Sequence, residues 1–368
     1  MLGRFLKRKR DDEFTELLRR HEQEPGNAST LREIAGRYER ERSYERAVHY
    51  LEQLHARNPA DISVLIRLSK LLRKTGQTDE SLERMAAAYR ADPEDLEVVL
   101  GLVKAYVASR NYDKAERTLL PVIQKHPDSP RVYYTLGIMR TAQGKTRGAV
   151  EAYRKAIGLD PAFARAHSNL GLLLEGLGDP DEALMHFRRA IRCEPDRAEW
   201  HLNLGAVYGE KRMLREAKIE FREALKLDPH NVEAHFNLGM IAHDQGQYDE
   251  AIHEFEVALR AEPDNIKAHY LLGQSYIRRG LYDLARKEMN KILALDPENA
   301  KAYYYVGVAE NKRENIDEAI EALEKSISID PEDDRPYWFL GIAYDKKGIG
   351  DKARDAYQAH ERLAQAKR

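Results

Sequence analysis

Cysteine is almost absent. Cys193 stands alone among 368 residues, so the chain can build neither an internal disulfide nor a cysteine zinc site. A reducing compartment, the cytoplasm, is the expectation, and Cys193 reads as a small half-buried filler near the end of a predicted helix. No apolar run reaches the roughly 18 residues of a membrane-spanning helix, and no apolar core of a secretory leader is visible. Charge of one sign is missing as well. Lys and Arg total 60 against 62 Asp and Glu, a net −2, so nothing pulls the whole chain toward nucleic acid or anionic lipid. A phosphate loop, a nucleophile elbow and an HExxH helix are all lacking. The expectation is a protein that is not an enzyme and takes no cofactor and no metal.

Proline is sparse but strictly placed. Ten of the 14 prolines, from Pro25, Pro59 and Pro93 to Pro297 and Pro331, follow one another at steps of 34. A fixed period of that size, with no insertion, means stacked helix–turn–helix units. In the sixth unit, 198–231, Ala198 is position 1 and Pro229 position 32. His201, Leu204, Gly205 and Tyr208 (positions 4, 7, 8 and 11) then share one face of a first helix, A. Ala217, Phe221 and Ala224 (positions 20, 24 and 27) share one face of a second, B. The small Gly205 and Ala217 allow the two axes to close toward the short end of about 8–10 Å. Tyr208 and Phe221 fill the space between, and Pro229 stops helix B.

This pattern resembles the tetratricopeptide repeat, over residues 28–367. Position 7 is Leu, Ile or Val in all ten repeats; position 8 is Gly in the last seven; position 20 is Ala in nine, with Ser81 the exception. The resemblance implies an all-α fold, an α-solenoid of about ten repeats wound into a right-handed superhelix. Residues 1–27 read as an orphan B helix capping the stack. Residues 28–129 are three degenerate repeats with Ala35, Ser69 and Val103 at position 8, and Pro121 predicts a kink in the third B helix. Residues 130–299 hold five regular repeats. Residues 300–368 hold two more, ending in a polar capping helix with His360 where Ala is usual.

In tetratricopeptide arrays the far side of helix A, positions 2, 5, 6, 9, 12 and 13, lines the concave groove that holds peptides. Position 6 is Asn169, Asn203 and Asn237 in consecutive repeats. A primary amide both donates and accepts, so it can pair with a peptide bond. Helices about 10 Å apart would meet about every third residue of an extended chain advancing ~3.3 Å per residue. The row is similar to the asparagine ladder in the repeat domain of O-linked N-acetylglucosamine transferases, here without a catalytic domain. Solvation of the groove, or capping of a neighbouring helix, is the alternative role. Farther along, Glu199, Glu210, Glu233 and Asp244 give way to Lys267, Arg278, Lys301, Lys312, Arg335 and Lys346. Phe236, Tyr270, Tyr304 and Trp338 join them at position 5. Cations beside exposed aromatics suit an acidic or carboxylate-ended peptide. The Lys-and-Asn pairing of a chaperone-type carboxylate clamp does not coincide in any repeat. His167, His201, His235 and His269 all stand at position 4, too far apart on successive helices for a shared metal, and read as core-edge packing.

A protein-interaction scaffold binding extended segments is therefore the expected function. The alternative is an assembly adaptor at a membrane surface, using Leu2, Phe5 and Leu6 among Arg4, Lys7, Arg8, Lys9 and Arg10. RNA binding by related helical repeats goes with a 35-residue period and a strongly basic groove, against a period of 34 and a net charge of −2 here. Self-association through an end or the groove is left open.

Overall fold

A computed structural model describes residues 14–367, which form helices and turns and contain no strand. The basic and apolar stretch at 1–12, on which the membrane alternative depends, lies outside the described residues. Among the described residues no helix is long and apolar enough to cross a membrane.

The chain forms two compact units, 1–177 and 178–368. The first begins with α1 (14–23). It continues with α2 (Ala28–Arg40), α3 (Tyr44–Arg57), α4 (Ile62–Lys74), α5 (Thr78–Ala91) and α6 (Leu96–Ala108). It ends with α7 (Tyr112–Lys125), α8 (Pro130–Ala142), α9 (Thr146–Leu159) and α10 (Ala164–Gly176). From α2 on, even-numbered helices are the A helices and odd-numbered ones the B helices. Phe14, Leu17 and Leu18 of α1 pack on the buried cluster of Leu31, Ile34 and Leu51. The Pro121 carried by α7 removes one hydrogen bond but does not end the helix.

The second unit holds α11 (Pro180–Cys193), α12 (Ala198–Glu210), α13 (Leu214–Leu227), α14 (Val232–Asp244), α15 (Tyr248–Ala261) and α16 (Ile266–Arg278). After these come α17 (Tyr282–Leu295), α18 (Ala300–Lys312), α19 (Ile316–Ile329), α20 (Asp334–Lys347) and α21 (Gly350–Ala366). Along it, A and B helices of each repeat from the sixth on pack together, and each B helix packs on the next A. The last helix, α21, buries only Ala353 and Ala356.

Local chemistry sets these boundaries. Asn27, Asp61, Asp95, Asn231, Asn265, Asn299 and Asp333 each precede an A helix and accept hydrogen bonds from its first backbone N–H groups. Asp179 does the same for α11, with Pro180 as its first residue. The A–B turn passes through position 15 with positive φ in every repeat, six times at Gly and four times at Arg42, Arg110, Arg212 and Glu314.

The glycine at position 8 is a socket. A Cβ on Gly205 would stand 2.8 Å from the Phe221 ring, on Gly239 2.7 Å from Phe255, and on Gly137 2.4 Å from Tyr153. The position-24 side chain of helix B therefore lies directly on the A backbone. Phe221 and Phe255 are buried as a result, at 2% and 0% exposure.

Candidate functional site

Asn169, on α10 of the first unit, is already engaged. Its amide donates to the hydroxyls of Tyr134 at 3.4 Å and Tyr153 at 3.3 Å. Asn203 on α12 and Asn237 on α14 belong to the second unit, on A helices that touch. Both are half-buried, and neither side chain has a hydrogen bond within the described residues. Identical letters at position 6 thus differ in state, because only the fourth repeat supplies tyrosines at positions 5 and 24 to meet the amide.

The aromatic and basic residues of the second unit are also unlike one another. Phe236 packs on Phe255 at 5.8 Å between ring centres, and the Lys267 ammonium lies 5.2 Å from the Phe236 ring. Tyr270 meets Tyr305 edge-on at 5.2 Å. Tyr304 is buried, at 7% exposure, rather than displayed. Tyr305 at 4.7 Å, Phe339 at 5.8 Å and the Arg335 guanidinium at 5.2 Å cover it. Trp338 is 46% exposed and leans on Tyr357 and His360 at 5.2 and 5.4 Å. With Tyr304, Arg335, Phe339 and His360 it lines an open depression of about 290 Å³.

Two of the six cations are answered internally. Arg335 grips Asp333 through Nε at 2.9 Å and Nη2 at 2.6 Å, and this pairing raises its pKa. The Lys346 ammonium donates to the Asn311 carbonyl and to Glu314, both at 2.9 Å. Lys267, Arg278, Lys301 and Lys312 are exposed and have no carboxylate partner within the described residues.

The position-4 histidines are clamped as well as packed. Nδ1 of His201, His235 and His269 meets Glu220, Glu254 and Glu288 on the facing B helix at 2.7, 2.6 and 2.6 Å. Nε2 of His235 and His269 meets the carbonyls of Pro229 and Pro263 in the preceding repeat at 3.2 and 2.7 Å. The Glu220 carboxylate raises the His201 pKa above its ordinary value, against the effect of burial. A Glu recurring at position 23 beside each of these histidines is the sequence signal that a search for metal ligands passes over.

Groove cations also stand in the first unit, where the sequence reading did not look. Lys70 and Lys104 occupy position 9, Arg73 position 12, and Arg131 and Arg165 position 2. The Lys104 ammonium sits 5.5 Å from the Tyr134 ring.

Models described as tetratricopeptide repeat match residues 75–137 and 242–306, 202–266 and 164–197. A further one described as TPR repeat matches 139–178 and 307–348. No curated protein matches the chain. Among solved structures, the chain is similar to one described as the APC/C hetero-tetramer Cut9–Hcn1, at 20% identity and TM-score 0.54. That match covers 81% of this chain and spans 58% of the other. It is also similar to the C-terminal part of a TPR repeat-containing protein from Cytophaga hutchinsonii. There the identity is 17% and the TM-score 0.54, over 62% of this chain and 95% of the other. At these identities the likeness is one of fold.

Proposed function

Because the chain belongs to the tetratricopeptide repeat family, we propose that it is a non-enzymatic scaffold binding an extended protein segment along the A helices of its second unit. The observation that carries this reading is the pair Asn203 and Asn237. Half-buried amides with no partner in the protein have donors and acceptors free for a backbone partner. At about 10 Å between helices they pair with peptide bonds about three residues apart on a strand-like ligand. Phe236 and Tyr270, one position earlier on α14 and α16, give its side chains an apolar rest. The exposed Lys267, Arg278, Lys301 and Lys312 favour acidic residues or a terminal carboxylate.

The test compares full-length chains carrying Asn203→Ala with Asn237→Ala against one carrying Asn169→Ala, with segments retained on each identified by cross-linking. The double variant should lose the segments that wild type retains, with its melting temperature unchanged. The Asn169 variant should keep them, since that amide is turned to Tyr134 and Tyr153. Equal retention by all three would remove the ladder from the binding site.

A further inference from the structure

We propose that the first unit carries an anion site centred on Lys104, which takes a peptide segment with several consecutive carboxylates. This rests on the reading of the A-helix face as the binding groove.

The site is assembled by period. Helices α4, α6 and α8 are neighbours in the stack, so groove positions on them fall side by side. Lys104 is half-buried on α6, with its ammonium over the Tyr134 ring at 5.5 Å. Tyr134 is held in turn by Phe163 at 4.9 Å and by Asn169. Four other cations bear on Lys104: Arg73 and Lys70 from α4, Arg131 from α8 and Arg165 from α10. One carboxylate, Glu97, stands in this group, and it is taken by Lys70 at 3.0 Å. Arg73, Lys104 and Arg165 have no carboxylate partner within the described residues, and Arg131 feels Glu97 without forming an ion pair with it. Burial, together with these like charges, holds the Lys104 pKa down to about 8.

Such a cluster is short of negative charge, and its arrangement says what kind. One carboxylate would leave most of the excess unanswered. A compact anion would reach only one end, because the cations are spread over successive A helices about 10 Å apart. An extended chain with a residue every ~3.3 Å presents charge after charge along that row. Guanidinium groups at three of the rungs, Arg73, Arg131 and Arg165, can hold carboxylates by donating paired hydrogen bonds.

The experiment is isothermal titration of the full chain with a hexaglutamate peptide near pH 8, in two buffers of different ionisation enthalpy. Hexaglutamine, inorganic pyrophosphate and a short oligouridylate serve as comparison ligands. Hexaglutamate should bind, more weakly as salt rises. It should draw in about half a proton per complex, because Lys104 stands near its midpoint of about 8 and regains its proton beside the ligand. Lys104→Arg should keep the affinity and lose the proton uptake. Arg131→Gln with Arg165→Gln, both exposed residues, should weaken binding roughly tenfold or more without lowering the melting temperature. Absence of hexaglutamate binding, or binding indifferent to the two arginines, overturns the site. So does tighter binding of pyrophosphate or oligouridylate, which would assign it to another class of ligand. If hexaglutamate fails while segments still depend on Asn203 and Asn237, the anion site falls alone. If both fail, the groove reading falls with it.

Discussion

In repeat 6 the position-8 residue is Gly205 and its partner at position 24 is Phe221. In repeat 3 the same two positions hold Val103 and Leu119, both buried in one cluster. Bulk has moved from helix B to helix A. Repeat 1 pairs Ala35 with Leu51 and repeat 2 pairs Ser69 with Met85, whereas repeats 4 and 7 pair glycine with Tyr153 and Phe255. The early repeats look degenerate one position at a time, yet each pair fills its space. Packing is set by the pair of facing positions together, as close-packed interiors require, although repeats 8 and 9 place Met289 and Leu323 rather than an aromatic ring on their glycines.

The largest expected effect tests the aromatic end of this comparison. Phe221→Ala should cost ~3–5 kcal/mol in urea unfolding, from lost burial and the cavity left over Gly205. A loss below about 1 kcal/mol would break the socket account. Next comes Gly137→Ala, whose new Cβ would sit 2.4 Å from the Tyr153 ring. It should cost about 1–3 kcal/mol by overpacking. Adding Tyr153→Leu, the solution used in repeat 1, should recover much of that loss, and simple addition of the two single effects would count against compensation.

A smaller effect belongs to repeat 2, where Ser81 replaces the usual alanine. Its hydroxyl lies 2.9 Å from that of Ser69 and donates to the Ser69 carbonyl at 2.8 Å, with both side chains buried. Ser81→Ala alone should cost about 1–2 kcal/mol, and the double change to alanine less, because no hydroxyl is then stranded. The smallest effect is one of pH. His201 has its folded pKa raised by Glu220, so its stabilisation is fully present below the unfolded value of about 6.5. It is lost as pH rises through the folded one. Glu220→Gln should flatten that slope in melting temperature against pH, and an unchanged slope would assign it to other groups.

The fold was legible because a strict period multiplies every local signal tenfold. The proline ladder, Ala at position 20 and Gly at position 8 each define a helix or a contact. The N-caps were equally readable, since Asn or Asp precedes seven A helices, but they repeat outside the hydrophobic faces. Side-chain partnerships were not legible. Nothing at position 6 itself separates Asn169, tied to two tyrosines, from Asn203, tied to none; the difference lies in the tyrosines of the preceding repeat. Arg335 looked like a free groove cation because its partner Asp333 is the cap of the same helix. Tyr304 looked exposed by its position on the wheel, but Phe339 and Arg335 from the next repeat close over it. Each of these depends on a residue in another helix or cap, and the helical wheel of one repeat carries no such information.

The A–B turns carry a last consequence. Six repeats turn through glycine, while Arg42, Arg110, Arg212 and Glu314 hold the same left-handed conformation against their own Cβ, at about 1–2 kcal/mol each. In an array coupled only to nearest neighbours, such a debit stays where it arises. Repeats 1, 3, 6 and 9 each carry that cost within their own turn. Arg212→Gly should therefore slow amide exchange across α12 and α13 and leave the distant repeats unchanged, and an unaltered rate would show that the turn stores no strain.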